Sequence, residues 1–166
     1  MKQKFPILIS IVVVSFNSKK ELIKTLKSVY IQTFKNLEVI IVDKFSSDGT
    51  RAYLLKNKHL YKKLSQQRDK GIYDAMNKGI NISKGRWIFF FNSGDILYSK
   101  KTLKFVSKSL SDKNDVLYGD TVVNNNGIRH LVRAKNFEQT SMKLPFCHQS
   151  VLVKNEILKK NKFNLK

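Results

Sequence analysis

At 166 residues, 42% of them hydrophobic and 11% aromatic, the chain can bury one core but not two, and it is no disordered tail. Thirty-two Lys and Arg against 12 Asp and Glu leave a formal charge of +20, spread through every segment in pairs such as Lys19-Lys20 and Lys159-Lys160. With no Arg-rich block, no aromatic-interleaved RNA signature and no zinc-finger spacing, a solvated lysine-biased surface is expected, peripheral contact with an anionic membrane stands second, and nucleic acid is not expected as a partner.

The longest apolar run, Ile7 to Val14 with Ser10 inside it, is too short to span a bilayer as a helix. Its β-branched content reads as a buried strand continuing to Ser15, and no small-residue cleavage site follows it. A cytoplasmic protein is expected, and Cys147, the only cysteine, fits a reducing compartment. Phe16, Asn17 and Ser18 end the strand. Ser18 and Glu21 have capping-box spacing, and Leu22, Ile23, Leu26, Val29 and Tyr30 then recur with helical period.

A second unit repeats the pattern. Leu37 to Val42 predicts a strand ending in Asp43, and Ser47 or Asp48 is placed to cap a short helix through Leu55. A weaker strand near Leu64 to Gln66 leads to a loop at Arg68 to Gly71. A helix is expected from Ile72 to Ile82, with Gly79 marking close backbone packing. Gly85 turns the chain into Trp87 to Phe91, the most hydrophobic strand, which stops at Asn92, Ser93, Gly94 and Asp95. Beyond it come a helix from Thr102 to Leu110, a strand at Val116 to Gly119, a hairpin around Asn124 to Gly127 and a strand near Gln149 to Val153. The βαβ rhythm followed by less regular strands predicts an α/β fold, mostly parallel with an antiparallel edge.

Three predicted strands end in polar residues: Ser15 with Asn17, then Asp43, then Asn92 to Asp95. A parallel sheet brings such ends to one edge, where ligands bind. Neither GxGxxG nor GxxxxGK[ST] occurs, so dinucleotide and P-loop sites are not expected. His59, His130, His148 and Cys147 offer only one close pair, too few for zinc. Asp95 in a loop with Gly94 suits a hard cation, Mn2+ or Mg2+, which completes its shell with phosphate oxygens and water.

The strings LISIVVVSFN, VDKFSSDGT, DKGIYDAMNKG, GRWIFFFNSGD, VLYGDT and LPFCHQ, in this order, resemble the family 2 glycosyltransferases, most closely those that build O-antigens, capsules and other bacterial surface polysaccharides. The resemblance covers essentially the whole chain. It implies a GT-A-type, Rossmann-like nucleotide-diphospho-sugar transferase fold, as a single domain over 1–166 with a donor-binding part over about 1–98 and a partial acceptor-side region over about 99–166. It implies an inverting transfer from a nucleotide-diphospho-sugar, a UDP-sugar by preference, to a glycan or lipid-linked acceptor, at the inner face of the membrane.

By the same resemblance Val14, Ser15 and Phe16 cradle the nucleotide, and Asp43 contacts base or ribose. Asp69 and Gly71 shape the neighbouring loop, and Asn77 faces the site. Asn92 to Asp95 corresponds to the family's D-x-D region, with Asp95 as the carboxylate that holds the metal. Lys44 stands where many relatives carry another aspartate, in reach of base or phosphate. Asp48 reads as a cap, and Asp74 with Lys78 as a surface pair. Asp120 and His148 fall on the acceptor side, the first also readable as a turn residue and the second as a satisfied buried histidine. The general base is expected beyond Lys166, with Asp120 as a weak substitute, so a chain that binds donor without turnover is the alternative expectation.

Overall fold

The computed structural model describes residues 7–136 and 146–165. The run ISIVVVS alternates no polar face, and it forms β1 (Ile9–Ser15) with all seven residues buried. Such a strand needs cover on both sides. That cover comes from α1 (Lys19–Tyr30), α2 (Thr50–Lys56) and α4 (Thr102–Ser109) on one face, where Leu22, Leu26, Leu54 and Leu103 meet Ile9, Ile11 and Val13. On the other face α3 (Ile72–Ile82) and α5 (Asn155–Lys160) set Ala75, Met76, Ile80 and Leu158 against Val12 and Val14. Each fully buried Leu or Ile here stabilises the fold by about 1.5–3 kcal/mol.

The sheet adds β2 (Leu37–Asp43), β3 (Lys63–Gln66), β4 (Trp87–Asn92), β5 (Val116–Tyr118) and β8 (Val151–Lys154) in the order β3-β2-β1-β4-β8-β5. Strands β1 to β4 are parallel, while β8 runs antiparallel between β4 and β5. The expected antiparallel edge is therefore present, and it stitches the second half of the sequence onto the first. A separate hairpin, β6 (Thr121–Asn125) with β7 (Ile128–Val132), turns at Asn126 and Gly127, both at positive φ.

Two local expectations meet different outcomes. A Cβ on Gly79 would lie 2.3 Å from Val12 Cγ1, so this glycine does let α3 settle directly on β1. The capping box does not form: the Ser18 hydroxyl lies 3.2 Å from Ser15 Oγ, and Asp48 Oδ2 instead accepts the Lys19 amide at 2.8 Å. Its other oxygen accepts the Thr50 amide and hydroxyl, so one carboxylate serves the starts of both α1 and α2. These bonds, the Thr50 hydroxyl first, hold Asp48 below the usual carboxylate range.

Topology then fixes the site. The carboxyl ends of β1 to β4 share one edge, and β5, running with β4, ends there too.

Candidate functional site

The loops at this edge are laced together by main-chain bonds. Lys44 N donates to Ser15 O, Ser93 N to Val14 O and Gln67 N to Asp43 O, at 3.1, 3.1 and 3.2 Å. Asn17, held at φ +43°, receives the Ser47 amide on Oδ1 and donates its own amide to Ser46 Oγ. Val14 and Ser15 are buried, so of the first segment only Phe16 presents its side chain outward, at 56% exposure.

Beside Phe16 the loops after β2 and β3 meet. Lys44 Nζ stands 3.1 Å from Asp69 Oδ1 and 5.6 Å from the centre of the Phe16 ring. The same Asp69 oxygen accepts the Gly71 amide at 3.0 Å, fixing the turn into α3, where Gly71 adopts φ +127°. Asp43 lies beneath, fully buried. Its carboxylate accepts the Ser46 hydroxyl at 2.5 Å, the Ser46 amide at 3.0 Å and the Gln66 amide group at 3.3 Å. An aromatic plate, a cation and a carboxylate thus stand together at this edge, a set suited to a nucleobase and its ribose.

The loop after β4 supplies the harder chemistry. Asp95 Oδ2 accepts the Asn92 amide at 2.7 Å, and Gly94, at φ +110°, donates its amide to Thr25 Oγ1 of α1 at 2.9 Å. Burial pushes the Asp95 carboxyl above its ordinary value, with the Asn92 bond and the nearby His148 pulling the other way. Asn92 Oδ1 is buried and accepts no hydrogen bond. A desolvated carboxylate beside an unpartnered amide oxygen fits a hard divalent cation, which prefers oxygen donors. Among the described residues no group of three or more His, Cys, Asp or Glu gathers around one point, so such an ion would take most of its shell from phosphate and water.

The remaining expected residues fall into place around this edge or away from it. His148 opens the 3-10 turn His148–Ser150 and is exposed, which sets aside its reading as a buried structural histidine. Ser150 bonds to Gly119 through both its main chain and its hydroxyl, bringing the Asp120 corner alongside. Asp120 is exposed and accepts the Ala134 amide at 2.8 Å at the base of the hairpin. Residues 144 and 145 of LPFCHQ lie outside the described residues. The Asn77 amide is spent on Phe163, donating to its carbonyl at 2.9 Å and accepting its amide at 3.0 Å. It ties α3 to the segment after α5. Asp74 and Lys78 pair at 3.2 Å.

Sequence reasoning missed the Lys44–Asp69 pair, because it joins loops 25 residues apart, and it missed Thr25 and Ser46, which fix two of the loops. The hydroxyl of Thr25 on the inner face of an otherwise apolar helix stripe was the available signal.

Known proteins resemble this chain in sequence and in fold. Residues 10–163 match the family described as glycosyl transferase family 2. A curated relative from Escherichia coli, UDP-Glc:alpha-D-GlcNAc-diphosphoundecaprenol beta-1,3-glucosyltransferase WfgD, is 32% identical over 123 residues, 73% of this chain and 49% of its own length. The chain spans about half the length of the curated relatives it matches. Among solved structures, S. aureus TarS 1-349 in complex with UDP-GlcNAc superposes with a TM-score of 0.75 at 21% identity, over 95% of this chain and 49% of that one. The mannosyltransferase PcManGT from Pyrobaculum calidifontis, in complex with GDP-Man and Mn2+, gives 0.69 at 19% identity, over 95% and 48%. These two likenesses bear on the fold, which is GT-A; together with a family match over nearly the whole sequence, they place the chain in glycosyltransferase family 2.

Proposed function

We propose that this chain binds a nucleotide-diphospho-sugar, by preference a UDP-sugar, for inverting transfer to a glycan or lipid-linked acceptor in cell-surface polysaccharide synthesis. The reading rests on the meeting, at one sheet edge, of Phe16, Lys44 and Asp69 with the Asn92–Asp95 loop. The exposed Phe16 ring offers a stacking surface to the base, and Asp69 and Gly71 frame its edge. Asp43 works from below, holding the β2 loop through Ser46. Asp95, with Asn92 Oδ1 beside it, would hold Mn2+ or Mg2+. That ion offsets the charge that grows on the diphosphate as it leaves. WfgD by its name uses UDP-Glc and a diphosphoundecaprenol acceptor, which supports a UDP donor and a lipid-linked acceptor.

Inversion needs a base that takes the acceptor hydroxyl's proton while its oxygen attacks the anomeric carbon opposite the leaving group. Among the described residues four carboxylates near this edge already hold partners: Asp43 with Ser46 and Gln66, Asp69 with Lys44, Asp95 with the Asn92 amide, and Asp120 with the Ala134 amide. That observation favours a second reading, donor binding without turnover.

Calorimetry with UDP and UDP-sugars, with and without manganese, tests both. Manganese is expected to tighten binding, and Asp95→Ala to abolish that gain. Phe16→Ala, at an exposed position, is expected to weaken UDP about tenfold, the size of one lost stacking contact. Affinities indifferent to manganese and to Asp95→Ala would remove the metal assignment. Sugar release from a UDP-sugar in the presence of acceptor decides between transfer and binding alone.

A further inference from the structure

We propose that the layer formed by α1, α4 and the loop 96–101 between β4 and α4 is a docking surface for an anionic lipid bilayer. Residues 22–37 and 96–111 contain Lys24, Lys27, Lys35, Lys100, Lys101, Lys104 and Lys108 and not one Asp or Glu. Other stretches also lack acid, 49–68 with Arg51, Lys56, Lys58, Lys62, Lys63 and Arg68 among them, but Leu55 is the one large hydrophobic group exposed there; the acids flanking the two segments are Glu21, Glu38, Asp95 and Asp112.

The two segments form one rigid piece. Gln32, 1% exposed, donates to Ser99 O at 2.7 Å and accepts the Leu103 amide at 3.1 Å. Thr33 N reaches Lys100 O, and Leu97 N reaches Ser28 Oγ. On that frame Tyr98 is 78% exposed, Phe105 63%, Ile96 62% and Ile31 58%.

A phosphate-bearing polymer would satisfy the lysines but leave these apolar groups in water. A bilayer with anionic headgroups satisfies both. Aromatic side chains settle at headgroup depth, lysine stems lie along the apolar boundary with their ammonium groups among the phosphates, and each cation adds attraction. Among the described residues no helix is long and apolar enough to cross a membrane. The surface begins one residue past Asp95. Only the bearing of that position on a lipid-linked acceptor rests on the proposed function, because the docking itself needs no donor.

Co-sedimentation with phosphatidylcholine vesicles, with and without phosphatidylglycerol, tests it in the absence of nucleotide. The chain is expected to bind the anionic vesicles alone, and less so as salt rises. Lys101→Glu, Lys104→Glu and Lys108→Glu together are expected to weaken partitioning roughly a hundredfold. Tyr98→Ser with Phe105→Ser is expected to weaken it about tenfold. The control carries Lys84→Glu, Lys160→Glu and Lys162→Glu, exposed beside α3 and α5 on the opposite layer, with the same change in net charge. It is expected to stay within about threefold of wild type. All variants should keep wild-type circular dichroism and UDP affinity, so failure of donor binding is read separately. Equal losses in the control triple, no loss in the aromatic pair, no binding to anionic vesicles, or preferential binding of duplex nucleic acid by this face would each overturn the proposal.

Discussion

Asp95 and Asp48 show how one residue type takes opposite roles within one fold. Burial raises the Asp95 pKa above 3.8, so at neutral pH folding confines an ionised carboxylate where its charge is disfavoured. That penalty is present above the raised pKa and fades as pH falls through it toward 3.8. Asp95→Asn keeps an acceptor for the Asn92 amide, and it should raise the melting temperature at neutral pH, with the gain shrinking in acid. A variant that melts lower than wild type at neutral pH would show that the charge itself is held favourably. Asp48 is the reverse case. Its pKa is lowered by the Thr50 hydroxyl and the Lys19 amide, so its contribution is present above 3.8 and lost as pH falls through the depressed folded value. Asp48→Ala removes a cap from two helices and should cost about 1–2 kcal/mol in urea unfolding at neutral pH, less in acid. The sequence marked both aspartates, Asp95 as a polar strand end against an apolar run and Asp48 as a helix cap. It could not mark Lys44 as the partner of Asp69, since that pairing exists only once β2 and β3 lie side by side.

At the scale of elements, the α3–β1 contact is where the packing has least slack. Gly79→Ala would press a methyl group to 2.3 Å from Val12 Cγ1, a fully buried side chain in a strand that has no room to shift. The expected loss is about 1–3 kcal/mol. Val12→Ala in the same chain should recover part of it, so that the two changes together cost less than their sum. Additive losses would mean that the helix had moved instead. Asn77→Ala tests a different joint: it leaves the Phe163 amide and carbonyl unpaired and should sharply speed hydrogen exchange at Phe163 while β1 stays protected. Strands β1, β2 and β4 and helices α1 and α3 were legible because their apolar period is long and unbroken. The placement of β8 between β4 and β5 was not, because a four-residue strand at 151–154 carries no sign of whom it pairs with. The capping box at Ser18 misled for a related reason. Local spacing fits it, but a carboxylate 29 residues away in sequence reaches the Lys19 amide at 2.8 Å.

For the whole molecule the governing quantity is the excess of 20 cations over anions. Ion pairs such as Lys44–Asp69, Lys78–Asp74, Arg86–Asp112 and Lys154–Asp115 use the acids that exist, and the remaining lysines repel one another across the surface. That repulsion favours the expanded chain. Its reach is set by the Debye length, about 30 Å at 0.01 M and about 8 Å at 0.15 M, so salt should stabilise this protein where surface pairs alone would predict the opposite. The melting temperature in sodium chloride is expected to rise by roughly 2–6 °C across that range. Chloride is the salt to use, because sulfate stabilises proteins by exclusion from their surface as well. A melting temperature that falls with chloride would show that the few pairs outweigh the many unpaired lysines. An anionic vesicle neutralises at the α1 and α4 layer what salt screens everywhere. At low salt, phosphatidylglycerol vesicles should therefore raise the melting temperature of the wild-type chain, and they should not raise that of the triple variant at Lys101, Lys104 and Lys108.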